Sequence, residues 1–268
     1  MSRASGRLTV LHVSDVHATH SGLLYDAVDG LERLQSVGEY ARRARITPEA
    51  VIVTGDLIQR GNSAAYGAVR DALAELEQTV QAPVLTVLGN HDEPDAARIL
   101  RGHEQSHHRT VLVAGLRVIL LDTSSGALGD AQREWLSGEL AGPHRDGTII
   151  ALHHPPLGSP LPTLAKAGLR DADAFLDVIE GSDTRVILAG HFHHPLAAHL
   201  RGIPVTVGPS LAYHQVMDAR PDLISGHDRA MFSIVHLLSE GMTATSVSLE
   251  SPSPLFSSAV PVPAHQNS

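Results

Sequence analysis

The 268 residues, 43% of them hydrophobic, are enough to bury a sizeable core as one globular domain, and no linker-like stretch divides them. A formal net charge of −9 without a basic stripe excludes the clustered Lys and Arg that a nucleic-acid backbone needs, so no nucleic-acid partner is expected. The absence of cysteine excludes disulfides and thiolate metal sites, whereas 18 histidines and 29 acidic residues supply nitrogen and oxygen donors in quantity.

Arg3 and Arg7 precede an apolar run of about seven residues interrupted by His12, too short for a signal peptide or a membrane span, so a cytoplasmic protein is expected. That run, residues 8–13, is the first of five short segments rich in Val, Ile and Leu; the others are 50–53, 83–88, 148–152 and 185–189. None alternates polar with apolar, which predicts strands covered on both faces, usually parallel. Helical stretches are expected between them at 25–45, 64–77, 95–100, 131–140 and 171–179. Arg42, Arg43 and Arg45, late in the first of these, read as a solvated face near a helix C-terminus. Residues 196–200, 203–207, 231–238 and 242–249 read as successive antiparallel strands at the edge of a second sheet, joined by turns such as Arg201-Gly202 and Glu240-Gly241. Residues 211–229 form a long segment without regular periodicity, expected to help shape a pocket. The domain is drawn at 1–250. Residues 251–268, rich in Ser and Pro, should not fold alone, and Leu255, Phe256, Val260 and Val262 are expected to dock on the body or on a partner subunit.

A polar cluster follows each of the five apolar runs: Asp15-Val16-His17, Gly55-Asp56, Gly89-Asn90-His91-Asp92, His153-His154 and Gly190-His191-Phe192-His193. In open α/β sheets, ligand sites gather beyond the carboxyl ends of strands, so these clusters are expected to meet at one edge. Residues at i and i+2 of an extended segment share a face, which would aim Asp15 with His17, and His191 with His193. Asp, Asn and His donors suit hard to borderline divalent ions.

Those clusters, in that order, resemble the calcineurin-like metallophosphoesterase superfamily. Gly55-Asp56-Leu57-Ile58-Gln59-Arg60-Gly61 with Ala65-Tyr66, Leu120-Leu121-Asp122-Thr123, Ala151-Leu152-His153-His154-Pro155-Pro156 and Ile187-Leu188-Ala189-Gly190-His191 are similar to the bacterial class III cyclic nucleotide phosphodiesterases. The similarity runs over residues 8–249. It implies a four-layer αββα sandwich of two mixed β-sheets, a homodimer, and two divalent metal ions drawn from Mn, Fe, Zn, Co and Mg. One ion would be held by Asp15, His17, Asp56 and His193, the other by Asp56, Asn90, His153 and His191, with Asp56 bridging. A metal-bridging hydroxide would hydrolyse 3′,5′-cyclic nucleotides to 5′-nucleotides. His91 would protonate the leaving oxygen, and Asp92 would orient His91 or serve as a turn carboxylate or helix cap before Glu93. Two divalent ions outweigh the carboxylates of Asp15 and Asp56 plus a hydroxide by one positive charge, so an anionic substrate is attracted despite the acidic chain.

The expected substrate contacts are Asn90, His91, His154, His194, Tyr213 and His214, with His227 a further pocket residue. His12 and His236 are expected in the core, and His20, His103, His107, His108, His199 and His265 at the surface. Aromatic residues make up only 3% of the chain, leaving Tyr66, Tyr213 and Phe192 as stacking candidates and implying a loosely held base, with cAMP and cGMP cleaved alike. Three other functions are compatible with parts of this pattern. A glycerophosphodiesterase or a hydrolase of phosphonate or aryl diesters would use the same site. A protein Ser/Thr phosphatase is disfavoured because Gln59 replaces the Asp of the Gly-Asp-x-x-Asp-Arg-Gly pattern. A non-catalytic scaffold, as in a retromer subunit, is disfavoured because every ligand position is filled.

Overall fold

The computed structural model describes residues 7–250 and 253–258. In chain order the first part comprises β1 (Leu8–Val13), α1 (Gly30–Ala44), β2 (Ala50–Thr54), α2 (Tyr66–Val80), β3 (Val84–Val87) and α3 (Pro94–Ala97). The middle comprises β4 (Arg109–Val113), β5 (Leu116–Leu120), α4 (Asp130–Glu139), β6 (Thr148–Ala151), α5 (Ala172–Ile179) and β7 (Thr184–Ala189). Next come β8 (Leu196–Leu200), β9 (Ile203–Val207), β10 (His214–Gln215), β11 (Gly226–His227), β12 (Met231–Leu238) and β13 (Gly241–Ser248).

Two mixed sheets result, one ordered β13-β12-β1-β2-β3 and the other β4-β5-β6-β7-β9-β8, with β10 and β11 forming a separate ribbon. The strands β1, β2 and β3 run parallel, as do β5, β6, β7 and β9, while β12, β13, β4 and β8 pair antiparallel with their neighbours. Side chains alternate in direction along each strand, and in the inner strands both directions end mainly in apolar packing. Leu11, Val13, Val51 and Val53 pack with Leu34, Val37, Val69 and Leu76 of α1 and α2. Val10, Ile52 and Val87 instead meet Val118, Ile149 and Val186 of the second sheet. On the far side, Ile119, Ile150 and Ile187 pack with Leu136, Phe175 and Ile179 of α4 and α5. This is the αββα order, and it explains the unbroken apolar runs: burial of each such side chain contributes about 1.5–3 kcal/mol on either face.

Several sequence expectations need correction. The first helix begins at Gly30, not near residue 25, because the Asp29 carboxylate accepts the N–H groups of Leu31 and Glu32 and caps it there. Residues 24–28 form a turn closed by the Leu24 to Val28 bridge, with Tyr25 and Asp26 at positive φ. The strands β4 and β5 lacked a sequence signature: β4 lies at a sheet edge, and the run of β5 is broken by Arg117, whose guanidinium is buried against Asp183. The four C-terminal strands do not share one sheet, since β8 and β9 edge the second sheet while β12 and β13 edge the first. His103 and His107, expected at the surface, are buried beneath Thr86, with His103 bonded to both. Leu255 and Phe256 are exposed, so these two make no docking contact with the body; Val260 and Val262 lie outside the described residues.

Candidate dinuclear metal centre

Each polar cluster leaves the carboxyl end of a parallel strand, β1, β2 and β3 in one sheet and β6 and β7 in the other. The loops are stitched together by backbone bonds, among them Asp15 N–H to Gly55 O, His17 N–H to Asp56 O and Gly190 N–H to His153 O. Glycine is required at two of these junctions: a Cβ on Gly89 would lie 2.3 Å from Asp56 Oδ1, and one on Gly190 would lie 1.9 Å from Ser14 Oγ.

Asp15, His17, Asp56, His191 and His193 all have positive φ, between 49° and 74°. The extended i, i+2 pairing expected for Asp15 with His17 and for His191 with His193 is therefore replaced by tight left-handed turns. Each such residue costs about 1–3 kcal/mol, and a concentration of that strain in one place marks a functional centre.

The seven expected ligands are brought together in two overlapping sets. In the first, His17 Nε2 lies 3.1 Å from His193 Nε2 and 3.5 Å from Asp56 Oδ2, and His193 Nε2 lies 3.3 Å from Asp15 Oδ1. In the second, His153 Nε2 lies 3.1 Å from Asn90 Oδ1, 3.2 Å from His191 Nδ1 and 3.4 Å from Asp56 Oδ2. Asp56 Oδ2 belongs to both. Donors held about 2.0–2.1 Å from one ion at octahedral or tetrahedral angles stand roughly 2.8–3.4 Å apart, a range the observed separations match to within about 0.1 Å.

In three of the four ligand imidazoles the second ring nitrogen is already committed. The Nδ1–H groups of His17, His153 and His193 donate to Gln59 Oε1 at 2.8 Å, Thr54 O at 2.8 Å and Tyr213 O at 3.1 Å. This fixes the tautomer that turns each Nε2 lone pair inward, the arrangement typical of metal-binding histidine. Burial lowers His17 to about 4 and His191 to about 3, keeping those rings neutral. Burial alone would raise the carboxyls of Asp15 and Asp56, yet the neighbouring imidazoles hold both well below the usual carboxylate range. His153, although buried, is pushed up to about 9 by the Asp56 and Asp15 carboxylates. Two buried anions face these rings; without ions a protonated His153 answers part of that charge, and divalent ions would supply it in full, their binding releasing the His153 proton.

Asn90, His91 and His191 are only partly buried and form the open side. The His91 Nδ1 accepts Arg60 N–H at 3.3 Å, and Nε2 has no hydrogen bond among the described residues. Burial lowers the pKa of this imidazole, an effect opposed by Asp56. Asp92 makes no bond to the His91 ring. It is buried and accepts N–H from Gly89 at 2.8 Å, Leu57 at 3.1 Å and Ile58 at 3.2 Å, so it locks the loops and acts on His91 through the backbone. The cap position before α3 belongs to Glu93.

His154 is buried with its ring 4.4 Å from that of His191, its Nδ1 3.2 Å from Thr123 Oγ1. His194 bonds Ser159 Oγ through Nε2 and Pro195 O through Nδ1, and His214 donates from Nε2 to Ser210 O; both are buried braces of the surrounding loops. Tyr213 is half-buried, its ring 4.2 Å from that of His193. Phe192 is wholly buried and the Tyr66 hydroxyl is spent on Asp92, so neither offers a face to a base. Sequence reasoning missed Gln59 as a brace, noting it only as a departure from another pattern, and missed Tyr25, which it placed inside a helix.

The chain belongs to the calcineurin-like phosphoesterase family, which it matches over residues 8–195. It is 39% identical to a probable cyclic nucleotide phosphodiesterase of Rhodococcus erythropolis, over 90% of this chain and 83% of that one. It is 37% identical to a cAMP/cGMP dual specificity phosphodiesterase of Mycobacterium tuberculosis, over 85% of this chain and 75% of that one. Among solved structures, a dimetal phosphatase from Danio rerio superposes with a TM-score of 0.65 over 91% of this chain and 96% of that one at 14% identity, a likeness of fold.

Proposed function

We propose that this chain hydrolyses 3′,5′-cyclic nucleotides, cAMP and cGMP alike, to 5′-nucleotides, as a dinuclear-metal phosphodiesterase. The observation that carries the reading is the pair of donor sets sharing Asp56 Oδ2, found in a chain whose relatives bear cyclic nucleotide phosphodiesterase names. Asp15, His17, Asp56 and His193 would hold one ion, and Asp56, Asn90, His153 and His191 the other; Mn, Fe, Zn, Co and Mg all tolerate such shells. Bound there, divalent ions activate water near neutral pH and neutralise phosphoryl oxygens.

The chain's own groups do the rest. Asn90 and His91, on the open side, meet the phosphodiester, and His91 Nε2 protonates the departing 3′ oxygen. Asp92 holds the loop that aims these groups, and Gln59 holds the His17 ring beside them. A cytoplasmic homodimer fits the reading; no helix among the described residues is long and apolar enough to cross a membrane.

The test pairs elemental analysis of protein purified without added metal with turnover of cAMP, cGMP, glycerophosphodiesters and aryl diesters. The expected result is about two ions per chain and comparable kcat/KM for both cyclic nucleotides, far above that for glycerophosphodiesters. Unchanged cleavage after exhaustive chelation, or a preference for glycerophosphodiesters, overturns it.

A further inference from the structure

Beside the metal centre lies a cavity of about 420 Å³ whose walls come from two loops, one carrying Tyr25 and Val28, the other Tyr213, Ile224, Ser225 and Asp228. The ring of Tyr213 links the two places: it is 4.2 Å from the His193 ring on one side and 5.7 Å from the Tyr25 ring on the other, edge to face. Tyr25 is 67% exposed and lines the cavity. Its backbone is fixed: φ is +53° at Tyr25 and +55° at Asp26, and Leu24 and Val28 are buried with Ala212 under Tyr213. Tyr213 is equally constrained, since any Cβ at Gly226 would lie 2.6 Å from its Cδ2.

From this geometry we infer that the Tyr25–Tyr213 cavity is the nucleobase subsite, with Tyr25 the stacking platform. The inference rests on the proposed phosphodiesterase reading, which puts the phosphate at the metal centre one tyrosine ring away. A ribose bridges that gap, and a flat apolar base reaching the cavity finds a pre-positioned aromatic face. Stacking tolerates either purine because each presents the same kind of π surface, which accounts for similar handling of cAMP and cGMP without a dedicated hydrogen-bond pattern.

The test is a cycle in which the protein loses the platform and the substrate loses the base. kcat/KM is measured for cAMP and for methyl riboside 3′,5′-cyclic phosphate, which keeps sugar and phosphate, with the wild type, Tyr25→Ala and Tyr25→Phe. Tyr25→Ala should lower kcat/KM for cAMP about tenfold or more, mainly through KM, while the loss on the abasic ester is much smaller and Tyr25→Phe restores cAMP cleavage. Equal losses on both substrates overturn the subsite and leave the phosphodiesterase reading standing. A wild type that cleaves neither cyclic ester sinks that reading instead, and the subsite with it. A shift in sizing profile with no coupling to the base makes this face a contact between copies and also overturns the inference.

Discussion

The hydroxyl of Tyr66 donates to Asp92 Oδ1 at 3.0 Å, joining the first turn of α2 to the loop that presents Asn90 and His91. The same hydroxyl accepts Glu93 N–H at 2.9 Å, so one phenol and one carboxylate hold the loop from beneath. Tyr66→Phe should cost about 1–2 kcal/mol in thermal denaturation, with a modest fall in kcat. Asp92→Ala should cost more, because the buried N–H groups of Gly89, Leu57 and Ile58 lose their acceptor. Equal effects from the two changes would contradict this division of labour.

Gln59 Oε1 faces both His17 Nδ1, at 2.8 Å, and His91 Nδ1, at 3.1 Å. Gln59→Leu should therefore weaken metal binding about 10- to 100-fold, read by metal titration, and Gln59→Glu should recover much of it by supplying an oxygen at the same place. Metal affinity untouched by Gln59→Leu would show that His17 needs no such brace.

His91→Ala should retain both metals while lowering turnover of cyclic nucleotides by about 10²- to 10⁴-fold. The loss should shrink for an aryl diester, whose leaving group departs without a proton. A normal rate with cAMP would remove His91 from the reaction.

Far from the centre, the buried Arg117 forms an ion pair at 2.6 Å with the partly buried Asp183. Burial alone would raise the Asp183 carboxyl, but the His144 N–H, the Thr148 hydroxyl and the Arg117 guanidinium lower it below its ordinary value. A carboxyl lowered on folding stabilises above its unfolded pKa and loses that contribution as pH falls through the folded one. Acidification below about pH 4 should therefore destabilise the wild type more steeply than Asp183→Asn. Arg117→Leu at neutral pH should cost about 1.5–3 kcal/mol by removing the charged partner of Asp183, which keeps the His144 N–H and the Thr148 hydroxyl. Denaturant titrations across pH check both.

Leu255 and Phe256 are exposed. If a partner subunit covers them, removing the residues after Glu250 should shift the sizing profile or lower the melting temperature while metal content stays the same. An unchanged profile and melting temperature would exclude that role.

The sequence by itself determined the donor types, their order and their places after five apolar runs, because strand burial and turn chemistry are local and leave local marks. It also determined the layering, since residues such as Val10 and Leu11 are both apolar only when both faces of a strand are covered. Only the tertiary structure decided that Asp56 Oδ2 faces His17 and His153 at once, that left-handed turns rather than extended pairs aim the ligands, and that Asp92 looks away from the His91 ring. It alone set Tyr25 beside Tyr213, 188 positions away. Contacts between distant loops depend on how two sheets pack, and neither periodicity nor spacing along one chain encodes that packing.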